Sequence, residues 1–598
     1  MCMQPAAWPE PDSQIAAAIA AKYRGKRPRP LAVQIRDRLG QWLEDEAFAA
    51  AFGTRGKPGW SPSRLALVTV LQRAENLTDR PAAEAVRTRI DWQYLLGLPL
   101  DDPGFDPTVL SEFRTRVADA GLEQVVLDAL LERLVSAGLV KAGGRQRTDS
   151  THVIAAVAAL NRLELAGESV RAALEALAAA CPDWLEQRVC VSDFARRYGT
   201  PMTSWHPPAS QAKRDELAIA YARDGYALLE AIYDGSSPGW LREVPAIDVL
   251  RRVLVQNYTR AITGGKEVIK RREKEPEGNG LPPGHTRIAS PYDTDARWGV
   301  KREEFWLGYK LHVTETCDDP PPCSCRPDRP APRPAAGGNE PGWSRAGGRE
   351  HDKGCAQVAF PNLITSVATT DATVTDNQMT GAIHQDLAAK NLAPGRHYLD
   401  SGYLSAAVVV SALTTWGIAL IGPLLADTSA QARAGHGYAR ADFTIDYDTR
   451  TVTCPQGKTS TSWTPCTQHG KDAIVATFSA GDCGSCPARS LCTTGKRRQL
   501  TVLPRDLAQA QAAARTAEKT TGFHADYARR AGVEGTMHQA ASHGARRARY
   551  RGMQKTRLDH VYMATALNLL RLEAFWTGTP LDRQRTSHLA RLELALAA

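Results

Sequence analysis

A chain of 598 residues is too long for one ordinary domain, and two to four domains are expected. With 43% hydrophobic residues it can bury a sizeable core, yet its best apolar run, Ala406 to Ile421, is broken by Thr414, Thr415 and Gly417 and falls short of a membrane span. The N-terminal stretch MCMQPAAWPEPDSQ has no charged n-region and no apolar h-region, so a cytoplasmic protein with no membrane partner is expected, and a formal charge of +9 suggests a polyanionic partner.

Residues 1–140 read as an all-helical N-terminal domain. Ser61-Pro62 is an N-cap followed by proline at the first helical position, and Leu67, Val70, Leu71 and Ala74 would line one face of the helix that follows. Asp106-Pro107 repeats the device before VLSEFRTRV. GGRQRTDST then reads as a short strand ending at Asp149 and Ser150. From Val153 to about Tyr233 the pattern is helical and alanine-rich with no strand period, which predicts a helical insertion over about 153–280.

Phe305 to Thr316 (FWLGYKLHVTET) alternates and is rich in aromatic and β-branched residues, so it is a predicted strand, as is Leu363 to Ala372. Between them, residues 318–354 are rich in proline and glycine and predict a loop insert. A helix over Asp376 to Leu392, a strand ending at Asp400, a helix over Leu404 to Thr415 and a strand GIALIGP complete residues 141–440. Three strands, then helix, strand, helix, strand, is the order of a ribonuclease-H-like α/β core. Residues 441–505 look β-rich around cysteines. Residues 506–598 return to helix and complete the core, with Glu534 on the first long helix.

Three carboxylates far apart in the chain stand out: Asp149 in RTDSTH, Asp400 in HYLDSGYLS, and Glu534 in YARRAGVEGTMHQ, where the spacing is Tyr527-x-x-Arg530-x-x-x-Glu534. Two divalent metals need carboxylate oxygens converging from separate elements, and two strand ends with an overlying helix would supply them. Each residue also has a bland role. Asp149 could cap a helix, Asp400 could form a turn with Ser401-Gly402, and Glu534 could pair with Arg530 at i,i+4 for only ~0.3–0.5 kcal/mol. Together, and in this order, they favour catalysis. Asp293 and Asp295 read as turn caps before the second strand.

Between Gly522 and His560 lie Arg529, Arg530, Arg546, Arg547, Arg549, Arg551, Lys555 and Arg557 against three acids, a one-sided excess that fits contact with phosphate. A second basic cluster spans Lys22 to Arg38. Of the 12 cysteines, Cys454, Cys483, Cys486 and Cys492 have the spacing of a zinc knuckle, with CGSCPARSLC giving three thiolates and VTCPQG the fourth. Cys317, Cys323, Cys325 and Cys355, with His351, have a C-x-C spacing in glycine- and proline-rich surroundings and read as free thiols.

The segments WSPSRLALVTVLQRAENLTDR, RTDSTHVIAAV, SPYDTDARWGVKR, FWLGYKLHVTE, HYLDSGYLSAA, CPQGKTS, CGSCPARSLC, YARRAGVEGTMHQA and ARYRGMQKTRLDHVYMATALNLLRL together resemble the DDE transposases of bacterial insertion sequences, in particular the group numbered 1182. The resemblance runs over most of residues 30–575. It implies a ribonuclease-H-like core in which Asp149, Asp400 and Glu534 hold two Mg²⁺ or Mn²⁺ ions, and a β-rich insertion with structural Zn²⁺. It implies that Tyr527 and Arg530 meet the transposon end. From its own charge, the stretch with Arg546, Arg547, Arg549, Arg551 and Lys555 is expected to contact double-stranded DNA, and a homodimer is expected on paired ends. The family pattern has a lysine seven residues after the glutamate, where this chain has Ala541; Arg546 or Arg547 would take over its contact. The expected activity is cleavage at terminal inverted repeats and joining of 3′ ends to target DNA. A zinc-containing DNA-binding protein without catalysis, and a nuclease without strand transfer, are the alternatives.

Overall fold

The computed structural model describes residues 3, 8–25, 28–53, 55–204, 208–264, 266–273, 280–301, 303–318, 361–427, 429–468 and 470–578. Most of the proline-rich insert lies outside the described residues, with Cys323, Cys325, His351 and Cys355. The chain divides into two compact units. One holds residues 1–144, 315–365 and 562–598, the other residues 145–314 and 366–561. Among the described residues no helix is long and apolar enough to cross a membrane.

The first unit is helical over its N-terminal part. Ser61 accepts from the Arg64 backbone N–H and starts the helix Pro62–Ala74, as the Ser-Pro pair predicts. That helix is not amphipathic in place: Ser63, Thr69, Gln72 and Arg73 are buried along with Leu67, Val70 and Leu71. Asp106 accepts from the Thr108 backbone N–H at 2.9 Å, and the next helix, Thr108–Asp119, follows it. Arg571 donates to the fully buried Glu315 at 2.8 Å and to the Asn362 carbonyl.

A six-stranded sheet lies almost wholly in the second unit. Its strands are β1 (Arg145–Ile154), β2 (Arg297–Lys301), β3 (Glu304–Thr316), β4 (Ile364–Asp371), β5 (Arg396–Tyr398) and β6 (Ala419–Ile421). They lie in the order β2-β3-β1-β5-β6, and β4 also pairs with β3. β1 pairs in parallel with β5, with Arg145 opposite Arg396 and Arg147 opposite Tyr398, and β5 in parallel with β6. Parallel neighbours need crossover connections. Here these are helices α1 (Asp376–Ala389) and α2 (Ala406–Trp416). Thr375 and Gln378 form a capping box on α1, Ser405 caps α2, and Gly417 ends α2 in the left-handed conformation at φ 67°.

β1 does not stop at Asp149. It runs on to Ile154 because further backbone partners meet its end: Ala155 donates to the Leu307 carbonyl and Ile154 to that of Arg546, each at 2.9 Å. Gly308 makes the first contact possible. Its φ is +153°, and a Cβ there would lie 2.0 Å from the Val153 carbonyl oxygen.

After β1 come the helices Arg162–Ala180, Pro182–Arg188, Val191–Tyr198, Gln211–Tyr233 and Pro245–Asn257 around their own apolar cluster. An antiparallel hairpin, Tyr258–Thr263 with Lys266–Arg271, follows them and was not foreseen. Residues between β6 and α3 (Arg505–Glu518) form small antiparallel sheets around Phe443, Val452, Phe478 and Leu500. The chain then runs through α4 (Thr521–Tyr527), a 3₁₀ turn Ala528–Ala531, α5 (Gly532–Ser542) and α6 (Met553–Thr577). Glu534 therefore lies on the third helix after residue 505, not on the first long one.

Three buried histidines brace the sheet. Thr148 Oγ1 bonds His397 Nε2 at 2.7 Å, His397 Nδ1 meets His384 Nε2 at 3.0 Å, and His312 Nδ1 meets the Tyr403 hydroxyl at 2.7 Å. Burial pushes His384 and His312 down to about 4, and burial with the neighbouring His384 lowers His397 as well. These groups are neutral in the fold, whereas in the unfolded chain they protonate near their ordinary 6.5. The unfolded chain thus binds more protons as pH falls, so stability present above about 6.5 is lost on the way down to about 4. The thermal midpoint should fall between about pH 6.5 and 5, where ordinary carboxylates titrate little. A flat midpoint over that window would show that these histidines are not held neutral.

Candidate active site

The parallel register of β1 and β5 sets the first part of the site. Asp149 and Asp400 each lie two residues beyond the pair Arg147–Tyr398, so the two carboxyl groups emerge from neighbouring strands at the same level. Each is held by one oxygen close to its own backbone. Asp149 Oδ1 accepts from the Ser150 N–H at 2.8 Å, and Asp400 Oδ1 accepts from the Gly402 N–H at 2.9 Å. Asp149 is therefore not a helix cap, while the turn expected at Asp400 is present.

The remaining oxygens face one guanidinium. Arg530 Nη2 lies 3.0 Å from Asp149 Oδ2 and 3.9 Å from Asp400 Oδ2, and its Nη1 donates to Glu534 Oε1 at 3.1 Å. Three carboxylates from two strands and a helix thus converge on Arg530. Glu534 keeps the expected i,i+4 pair with Arg530 although Arg530 sits in the 3₁₀ turn before α5. Its side chain is 67% exposed against 15% for Asp149.

Burial raises the Asp149 carboxyl above the usual carboxylate range, with Arg530 pulling the other way. Burial alone would lower the Arg530 guanidinium, but Asp149, Tyr527, Asp400 and Glu534 outweigh it and raise it. Tyr527 stands beside the cluster, stacked on Phe523 at 5.7 Å between ring centroids. Burial raises its hydroxyl, Arg530 pulls it the other way, and Asp400, Asp149 and Glu534 add to the rise.

Two supporting groups were not singled out in the sequence. Arg147, on the same face of β1 as Asp149, donates from Nη1 to the Arg529 carbonyl at 2.6 Å. A Cβ on Gly532 would fall 2.0 Å from that Nη1, so a larger residue there would push the guanidinium aside at the start of α5. Asp376 approaches the same loop as Asp400: a Cβ on Gly402 would be 3.1 Å from Asp400 Oδ1 and 3.3 Å from Asp376 Oδ2. Lys310 neutralises Asp376 at 3.3 Å. Lys310 and His312 are alternate polar residues within the otherwise apolar stretch Phe305 to Val313, which is the signal the sequence offers.

The basic residues divide. Arg546 is exposed beside His152 at 3.3 Å, and its backbone runs along the end of β1, where Ala548 donates to the Ile154 carbonyl. Arg547 is exposed in the same bridge, and Lys301 acts on both Asp149 and His152. Arg551 is turned aside, over the Tyr292 ring at 5.3 Å, and Lys555 is half-buried in the first turn of α6. Arg549 is half-buried. Asp293 caps the turn as expected, accepting from the Ala296 N–H, whereas Asp295 accepts from the remote Met553 N–H at the start of α6 rather than capping that turn.

Cys454, Cys483, Cys486 and Cys492 line one small pocket with Tyr438, Phe478 and Arg498. Burial raises the Cys492 thiol, and the other three thiols add to it. The Arg498 backbone N–H donates to Cys483 Sγ at 3.4 Å. Yet the described residues contain no group of three or more His, Cys, Asp or Glu side chains arranged to hold a metal ion. Cys454, Cys483 and Cys492 pack against the Phe443 cluster, and Arg530 stands among the three carboxylates.

Replacing Arg147 with alanine should free the turn and helix that carry Arg530 and Glu534. The loss should be about 1–3 kcal/mol in denaturant unfolding, with faster amide exchange over residues 528–542. Unchanged exchange there would show that Arg147 does not hold that segment.

Two family profiles match the chain. A Transposase DDE domain matches residues 453–573, and a Transposase domain (DUF772) matches residues 22–116. No curated protein and no solved structure matches. The first match includes Glu534 and the four cysteines; Asp149 and Asp400 lie outside both.

Proposed function

We propose that this chain, whose two matched segments indicate a transposase of the DDE class, cuts and joins DNA at the site formed by Asp149, Asp400 and Glu534. The matches reach that class and do not single out the group numbered 1182. The observation that carries the reading is the convergence of those three carboxylates on Arg530. The strand order β4-β3-β1-β5-β6 supports a ribonuclease-H-like core.

The donor set is hard carboxylate oxygen, which suits Mg²⁺ or Mn²⁺. Two such ions, once bound by Asp149, Asp400 and Glu534, would activate the attacking oxygen and stabilise the leaving one at a phosphodiester. The residues themselves do the rest. The amides of Ser150 and Gly402 orient the aspartates, and Arg147 sets the helix of Glu534. Arg530 and Tyr527 meet the transposon end. Arg546 and Arg547, with Arg549, Arg551 and Lys555 further along, hold the backbone of double-stranded DNA, and two copies of the chain act on paired ends. Affinity then comes mainly from phosphate contacts.

Asp149→Ala, Asp400→Ala and Glu534→Ala should each abolish cleavage of DNA carrying the element's terminal repeats while binding to it persists. Chelation of Mg²⁺ should do the same to the wild type. A variant that cleaves at near the wild-type rate would remove that residue from the site. Paired ends supplied with target DNA distinguish strand transfer from cleavage alone.

The four thiols in one pocket are a donor set that suits Zn²⁺, and closing them around the ion would tie the β-rich segment together. Metal analysis of the purified protein should find zinc, reduced in Cys483→Ser. Zinc-free protein with unchanged melting would defeat this part of the reading.

A further inference from the structure

Arg530 is bound more tightly into the carboxylate cluster than a group that only awaits phosphate needs to be. Its side chain is 15% exposed, and its two terminal nitrogens are committed to Asp149, Asp400 and Glu534 together. Its Nε has no hydrogen-bond partner among the described residues. The guanidinium therefore stands where cations shared by these carboxylates would have to stand. Asp149 Oδ2, Asp400 Oδ2 and Glu534 Oε1 are taken up by the guanidinium, and a cation bound by the same carboxylates would have to compete with it for them.

We infer that Arg530 is a built-in counter-cation of the site, which competes with divalent metal for the three carboxylates and is displaced toward the DNA phosphate when metal enters. This rests on the reading that those carboxylates hold metal. Without a cation of its own the cluster would gather three negative groups around one point, one of them a buried aspartate whose carboxyl is already raised. Arg530 prevents that repulsion and keeps the strand ends and the helix of Glu534 in register. A divalent ion does the same with twice the charge and frees the guanidinium. Arg530 lies in the 3₁₀ turn before the helix of Glu534, and its freed fork would be available to a non-bridging phosphate oxygen, its natural bidentate partner. Metal and DNA would then load cooperatively, each favouring the position of Arg530 that the other requires.

The test uses the full chain without DNA and Mn²⁺ alone as probe, with binding followed by electron paramagnetic resonance of the free ion. Arg530→Gln removes the competing charge and should tighten Mn²⁺ binding by about five-fold or more. Arg530→Lys keeps a competing cation and should stay within about two-fold of wild type. With chelator present, Arg530→Gln should melt below wild type, and Mn²⁺ should raise its midpoint more than it raises the wild-type one. Arg530→Met is the second neutral variant, should Arg530→Gln fail to fold. Unchanged or weaker Mn²⁺ binding in a folded neutral variant would overturn the inference while leaving the metal site standing. Mn²⁺ binding that is the same in wild type and Asp149→Asn would sink the metal site, and this inference with it.

Discussion

The parallel pairing of Arg145–Arg147 with Arg396–Tyr398 is the constraint on which the candidate site depends. Parallel strands bring residues of equal offset to the same level, and an offset error of one residue would send a side chain to the opposite face. Two residues beyond the last pair, both strands carry an aspartate. Neither aspartate is left to find its own orientation: each has one oxygen tied to a nearby backbone amide and the other turned outward. A short stretch of sheet, with the tight turn that follows β5, thereby positions two carboxylates from residues 251 positions apart in sequence, the shared offset of the register. Rigid elements are what a site of converging charges requires, because the penalty for gathering like charge is met only if the counter-charge is equally well placed.

The third carboxylate is attached differently. Glu534 is exposed on a helix, and what ties it to the sheet is Arg147, reaching from the same face as Asp149 to the carbonyl of Arg529 past the bare Cα of Gly532. Sheet and helix are thus joined by one buried guanidinium and the cluster is closed by another, Arg530. The first acts on backbone and the second on charge. That division explains why the Tyr-x-x-Arg-x-x-x-Glu spacing works although the chain is not one continuous helix across it. A 3₁₀ turn followed by α-helix still brings positions four apart to the same side.

Much of this was legible before any coordinates. The alternating aromatic and β-branched residues of Glu304–Thr316, the capped helices and the order of strands and helices in residues 363–421 all appear close to their expected bounds. Local patterns carry such information because burial on one face repeats at every second or every third and fourth residue. What failed depends on partners remote in sequence. β1 outruns its expected end because residues 307 and 546 pair with it, and no property of STHVI announces those partners. The helix Pro62–Ala74 reads as amphipathic but is buried nearly all round, and some of its polar groups bond inside, as Thr69 does with the Leu65 carbonyl and Gln72 with Asp79. The hairpin Tyr258–Arg271 lies in a charged segment whose alternation is weak. In the site, the three carboxylates were visible as types in a context. Arg147, Lys310 and Asp376 were not, because their roles come from what they touch.

The arginines after α5 show how topology turns composition into a surface. Arg546 and Arg547 do not extend the helix of Glu534. The chain leaves that helix at His543 and lies down in parallel beside the end of β1. Backbone pairing with Ile154 takes up the amide groups there, so the side chains are free to point away from the sheet. Lys301, from the tip of the β2–β3 hairpin, lies near enough to Asp149 and His152 to act on both. Positive charge therefore collects at the rim while negative charge collects at the centre. A rim of this kind draws a polyanion in, and the carboxylates at the centre repel it unless cations stand between them. On the proposed function, affinity and chemistry would lie on neighbouring elements, and the charge held among Asp149, Asp400 and Glu534 would govern how closely a phosphate approaches them.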